Sequence, residues 1–227
     1  IAALTAIRGG PAVLDVTSIN RSALERIGGL RDGEISFNSW FDDAALLEHV
    51  ALSPLPTGDV HVMYCRGTTL GNPAAAMVAK QINYDPARGA DGSLAFAVQA
   101  LANAFGLNWC KLLTAGKRTD TAAANGASVD FGTGSLTFGL VAYLHVFSFV
   151  GTSVTVAIQE SSDDAVGDPF AAVTGGAFAA ATGRTSERIV TSLTQTVERY
   201  LRVVTTGTFT SAVFAVAVQR HETAVLY

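Results

Sequence analysis

Between Leu140 and Gln219 the chain repeats one device: a run of β-branched and aromatic residues, then a turn built on glycine, serine or aspartate. The runs fall at 140–150, 153–160, 170–178, 188–192, 199–205 and 212–219. Alternation is imperfect around Thr155 and Ile158, so the assignment rests on enrichment in Val, Ile, Thr and Phe, which suit a pleated, half-buried surface. Six such runs at this spacing predict a β-sandwich of jelly-roll or immunoglobulin type. No repeat at a solenoid or propeller period is visible.

The first half is also strand-rich but more broken. Ala12–Val16 is a short apolar run, followed by a polar loop in which Asn20-Arg21-Ser22 matches a glycosylation acceptor only by chance. Glu34–Phe41 alternates, with Ile35, Phe37 and Ser39 on one side and Ser36, Asn38 and Trp40 on the other, as in a half-buried strand. Asp42 and Asp43 then offer an acidic N-cap to a short amphipathic helix carrying Leu46, Leu47 and Val50, ending near Ser53 and closed by Pro54 and Pro56. Asp59–Cys65 alternates again. Thr68–Pro73 is turn-rich, and Ala75–Tyr84 reads as a strand. Asp85-Pro86 and Asp91-Gly92 then turn the chain into Ser93–Ala100, which makes a protruding hairpin. The alanine-rich stretch Ala95–Ala104 fits a helix as well. Asn108–Leu113 completes a sheet. Residues 116–128, rich in Thr, Ala and Gly, read as a linker between a domain at 1–115 and a second at 129–227.

Composition narrows the function. The hydrophobic fraction is 49% against 15% charged residues, and mean hydropathy is +0.33. That balance predicts extensive burial, subunit interfaces included. The longest apolar run, Phe138–Val150, contains Gly139, His145 and Ser148 and is shorter than the roughly 20 residues a spanning helix needs; no membrane partner is expected. Ile1–Arg8 has no convincing secretory pattern. The formal net charge of −4 argues against gripping nucleic acid, and it is evenly spread: residues 1–126 carry 10 basic and 11 acidic groups, the remainder 5 and 8.

No catalytic constellation emerges, and the chain is read as a non-enzyme without cofactor. Gly116-Lys117-Arg118-Thr119 resembles only the end of a phosphate loop and lacks its earlier glycine. His49 and His61 stand alone, without a nucleophile to serve. Cys65 and Cys110 read as two reduced core thiols. Asp163, Asp164 and Asp168 form an oxygen-rich turn of the kind hard cations prefer, but at no recognisable calcium spacing, so a solvated turn is the expectation. Tyr143, Phe147, Phe149, Phe170 and Phe178 would be core at strand spacing and a sugar-stacking platform only if exposed.

One stretch goes further. Gly29-Leu30-Arg31-Asp32, the strand through Phe37 to Trp40, and the exit Phe41-Asp42 before a helix together resemble the opening of the tube domain in major tail proteins of long-tailed, non-contractile bacteriophages. DVHVMYCRGTTLG and SLAFAVQALANAFGLNW are similar to tube-domain strands of actinobacterial phages, and ESSDDAVGDPFAAVTGG and ERYLRVVTTGTF to their C-terminal sandwich. The fold motif under this resemblance is Gly29, Leu30, Asp32, Phe37, Trp40 and Phe41.

The resemblance implies a mainly β protein, with a tail-tube sandwich or barrel and short flanking helix followed by a second sandwich. It also implies a function: homo-hexameric rings stacked into a tail tube, assembled in the bacterial host cytoplasm and carried in the virion. Partners would be copies of itself, other tail proteins, and the tape-measure protein and phage DNA in the lumen without sequence-specific binding. A lumen without strong positive charge lets DNA slide. Thr68, Thr69 and Asn72 in one loop, and Asp85, Arg88 and Asp91 in another, would be inter-ring stacking residues. Competing readings are a carbohydrate-binding adhesion module on a virion or cell surface, and a capsid or head-tail connector component.

Overall fold

A computed structural model describes residues 3–42, 44 and 48–225, with the side chain of Glu48 excepted. The protein is mainly β. Its elements are β1 (Ala3–Asp15), β2 (Arg26–Trp40), α1 (Glu48–Leu52), β3 (Val60–Cys65), β4 (Pro73–Gln81), β5 (Asp85–Arg88), β6 (Leu94–Ala102), β7 (Asn108–Leu112), β8 (Arg118–Asp120), β9 (Ala124–Asp130), β10 (Leu140–Ser161), β11 (Ala171–Ala177), β12 (Thr185–Val190) and β13 (Tyr200–Arg220). Two compact units divide the chain: Ile1–Val62 with Met77–Asn108, and Met63–Ala76 with Trp109–Tyr227.

The first unit is an antiparallel sheet in the order β1-β2-β6-β4, with β5 also on β6. Ile35, Met77, Ala79, Phe96, Val98 and Ala100 are buried in it. Alternation along β6 carries Phe96, Val98 and Ala100 inward, so the alanine-rich stretch that also fitted a helix is a strand. The expected hairpin from Asp85 is β5 turning into β6, where Gly89 N donates to Ser93 O at 2.8 Å. After β2, Asp42 caps the bend, its carboxylate accepting from Ala44 N at 3.0 Å. The helix ends as Ser53 N donates to His49 O at 2.9 Å. Asp43, Leu46 and Leu47, expected in the cap and apolar face, lie outside the described residues. His49 joins a chain of tilted rings, Phe41–His49–Tyr84–Phe96, with centroids 4.7–5.7 Å apart, and its Nδ1 lies 2.8 Å from the Tyr84 hydroxyl.

The second unit is built on two very long strands. β10 and β13 pair from Leu140↔Arg220 to Ser161↔Tyr200. The sequence reads each as two strands with a turn between. They run on because register shifts near 146–153 bend the ribbon without breaking its pairing. Gly151 and Gly207 take left-handed backbone angles, φ +154° and +119°, and a Cβ on either would strike the opposite strand. The two halves of the ribbon take different neighbours. Its 140–146 and 212–218 parts carry β12, β7 and β8; its 157–160 and 200–205 parts carry β11 and β9. Leu140, Leu144, Val156, Ile158, Leu201, Val203, Phe214 and Val216 from both halves belong to one buried core.

Residues 116–128, expected as a linker, hold β8 and much of β9, both paired to β13. Arg118 explains why so small-sided a segment is fixed. Its guanidinium meets the Asp120 carboxylate through two bonds of 2.7 Å and donates to Val203 O at 3.0 Å, while the Thr205 hydroxyl donates to Asp120 at 2.7 Å.

Candidate assembly surface

β1 and β2 form an antiparallel ribbon from Ala3↔Asn38 to Asp15↔Arg26. β2 has a second neighbour, β6, only from Glu34 to Trp40. From Gly33 outward the ribbon is therefore two strands in solvent, an arrangement that is marginal unless something else covers it. Gly29–Asp32 lies within the ribbon and forms no turn: Arg31 and Asp32 pair with Pro11 and Gly10. The actual turn is the loop at 16–25. There Asp15 accepts from the Thr17 hydroxyl at 2.6 Å and backbone at 2.9 Å, which holds its carboxyl below the usual range, and Glu25 N donates to the Thr17 hydroxyl at 2.7 Å.

The glycines serve the root of the ribbon. Gly9 and Gly33 are cross-strand partners, and Leu107, itself buried, lies on both. A Cβ on Gly33 would come within 2.8 Å of the Leu107 backbone nitrogen, and one on Gly106 within 2.8 Å of the Arg31 Cβ. The 103–107 loop thus clasps the ribbon where it leaves the sheet.

Beyond the clasp the surface is apolar on both sides. Leu14 and Ile27 are direct partners and share a face; Val13, opposite Gly28, shares the other with Leu30. Leu30 is 89% exposed and Val13 65%, and Val16, Ile19 and Leu24 at the tip are also exposed. Full burial of a Leu or Ile side chain is worth about 1.5–3 kcal/mol. Covering four or five of these gains on the order of 6–15 kcal/mol, comparable with the freedom lost on association.

The residues of the predicted fold motif are dispersed. Gly29, Leu30 and Asp32 belong to the free ribbon, Phe37 to the sheet, and Trp40 and Phe41 to its exposed end. The predicted stacking residues fall in separate units. Thr68 and Thr69 are exposed in a turn closed by Asn72, whose Nδ2 donates to Arg66 O at 2.7 Å, with Gly67 and Gly71 at positive φ. Asp85, Arg88 and Asp91 are exposed on the β5–β6 hairpin. Asp91 is occupied in accepting from Ser93 N and Oγ, at 3.0 and 2.7 Å, and Asp85 from Asn83 at 2.7 Å. Sequence reasoning missed the ribbon itself. The signal was present as two aliphatic bursts, Val13-Leu14-Val16 and Leu24-Ile27-Leu30, around a polar loop.

The other candidates resolve into structure. Lys117 stacks 4.7 Å over Phe147, so the phosphate-loop fragment spends both its cations, Arg118 included, on the protein. Asp163 accepts backbone N–H groups from Val166, Gly167 and Asp168 at 2.6–3.1 Å, and Asp164 accepts from Ser128 at 2.6 Å. That turn is self-capped. Among the described residues no group of three or more His, Cys, Asp or Glu is arranged to hold a metal. The aromatic platform does not assemble: Tyr143 and Phe178 are buried, Phe149 packs on the core, and Phe170 lies beneath Arg202 at 4.2 Å. Cys65 is half-buried and Cys110 buried, and burial pushes both thiols up. Among the described residues no helix is long and apolar enough to cross a membrane.

No protein-family profile matches the chain, and no curated protein matches it. Among solved structures it is similar to the Dit protein of phage SPP1, described as a paradigm of the hub adsorption apparatus in phages that infect Gram-positive bacteria. Identity is 11%, the match covers 95% of this chain and 90% of that one, and the TM-score is 0.24. That score is well below those of chains sharing an arrangement of strands.

Proposed function

We propose that this chain is a structural subunit of a bacteriophage tail and works by self-assembly, its specific form being stacked hexameric rings that make the tail tube. The observation that carries the reading is the β1–β2 ribbon, rooted rigidly by Leu107 and apolar on both faces. A ribbon with two greasy sides is suited to lie between neighbours rather than against one. In a ring or stack every subunit lends its ribbon to the next, and a head-to-tail contact that does not close propagates into a filament. The edge strand β1, paired with β2 alone among the described residues, also needs cover of this kind. The sequence resemblance to tail-tube proteins supplies the virion setting and the number six. The weak acidity of the chain suits a channel through which DNA passes.

Negative-stain electron microscopy at increasing protein concentration tests this. Rings or tubes with a central channel are expected, and they should vanish when Val13, Leu14, Ile27 and Leu30 are all replaced by threonine. A monomer at every concentration for the unaltered protein, with or without seeds of phage tail tips, overturns the assembly reading. Closed rings that never stack transfer it to a head-tail connector.

A further inference from the structure

We propose that the second unit carries a binding site for a neutral saccharide in the cleft beside Trp109. This goes beyond the assembly reading and stands whether or not the ribbon drives assembly. The cleft, about 440 Å³, is lined by Trp109, Lys111, Phe131, Gln219, Glu222 and Thr223 among others. Lys111 is the cross-strand partner of Val218, a member of the sandwich core. Trp109, two residues back on β7, shares its face. Both side chains emerge where the core ends and the cleft opens.

The walls are already fixed. Lys111 Nζ donates to Asp130 O at 3.1 Å and stands 4.8 Å over the Phe131 ring. Arg220, buried, donates to Thr133 O, Gly134 O and Glu198 O at 2.8–3.1 Å, and its guanidinium lies 5.6 Å from the same ring. These bonds hold the 131–134 loop against the sheet, so a ligand meets a preformed surface and little ordering is required. Trp109 is the exception: it is 55% exposed between buried Asn108 and Cys110. A large flat ring is left in water between two buried neighbours.

The chemistry around that plate selects the occupant. An indole face is apolar and flat, and the rim offers donors from Lys111 and Thr223 and an acceptor from Glu222. A pyranose has the complementary make-up, one C–H face to lie on the indole and a ring of hydroxyls that each donate and accept. A phosphorylated ligand is disfavoured because Arg220 is committed to three carbonyls and Glu222 offsets Lys111. A lipid chain would leave the polar rim unsatisfied.

Trp40 is also exposed, so the test uses a Trp40→Phe background in which Trp109 is the sole tryptophan. Its fluorescence is titrated with neutral tetrasaccharides of glucose, galactose and N-acetylglucosamine to millimolar concentration. A saturable change with at least one sugar is expected. Isothermal calorimetry with that sugar should show affinity falling about tenfold or more in Trp109→Ala and only a few-fold in Trp109→Phe, while both variants keep the parent's unfolding curve. Glu222→Gln, which cannot disturb the core, should weaken binding without changing the fluorescence end point. No saturable change with any of the three sugars overturns the proposal, as does undiminished calorimetric binding by Trp109→Ala. Emission that is already blue-shifted and shielded from quencher only in concentrated, sugar-free protein also overturns it, and assigns the Trp109 face to a second copy of the chain.

Discussion

The two units treat their apolar residues in opposite ways. The second folds one long ribbon back on itself, so that β10 and β13 bury Leu144, Ile158, Val203 and Phe214 against each other. The first extends a shorter ribbon, β1 with β2, and leaves Val13, Leu14, Ile27 and Leu30 outside. The difference lies in what flanks each ribbon. β11, β12, β8 and β9 pair along the two edges of β10–β13, whereas the outer part of β1–β2 has no such flanking strand among the described residues, and its Gly9 and Gly33 make room only for Leu107 at the root. A flanked ribbon supplies its own cover. A two-stranded one requires another.

The largest effect expected from breaking that contrast is in the sandwich. Phe214→Ala removes a fully buried ring and should cost about 3–5 kcal/mol, read as a lower denaturation midpoint. Gly207→Val should do comparable damage by forcing a side chain into Ser153 O. Asp120→Ala comes next. It strands the Arg118 guanidinium, whose side chain is 15% exposed, and the loss should be about 3 kcal/mol. By contrast, the fourfold threonine substitution of Val13, Leu14, Ile27 and Leu30 should shift the unfolding midpoint of the monomer by less than about 1 kcal/mol in sum while abolishing large species in sedimentation velocity. A large loss of monomer stability from that variant would mean the ribbon is core, and the contrast would fail.

Much of the strand content was legible because it rests on local chemistry. The alternation of β6 and the β-branched runs of the second half act within a few residues. What was illegible depends on distant partners. Gly33 sits in a glycine-rich stretch, and nothing nearby reveals that Leu107 packs on its backbone. Residues 116–128 looked like a linker because they lack bulky side chains, yet Arg118 and Asp120 are pinned by Thr205 and Val203 from β13. Gly151 and the polar residues around it read as a turn between two strands, since the pairing that carries the chain through the bend comes from β13. The assembly surface was hidden for a related reason: exposed aliphatics in a sequence look the same as buried ones.

The smallest effect is set by pH, and its largest single shift lies in the second unit. Asp130 accepts two bonds from Arg199, of 2.8 and 2.7 Å, and one from Gly132 N at 2.6 Å, which lower its carboxyl to about 2. Its folded value lies below its unfolded one, so its contribution is complete above about pH 4 and is lost as pH falls toward 2. Glu160 and Glu198 act in the opposite sense. Burial, with Asp168 close by, raises both, so they favour the folded state in acid and withdraw that contribution as pH rises through their folded values. Urea midpoints of the second unit measured across pH 2–7 should therefore fall at the acid end, and also decline gently above the ordinary carboxylate range. Arg199→Met should flatten the acid limb alone, and Glu198→Gln the upper slope alone. A single variant that removes both limbs would mean that the carboxyls titrate as one cluster, and the separate assignment would be lost. Because Asp130 and Arg199 are substantially exposed, raising the salt to 0.5 M should shrink the acid limb, and it should leave the slope due to the more deeply buried Glu160 nearly unchanged.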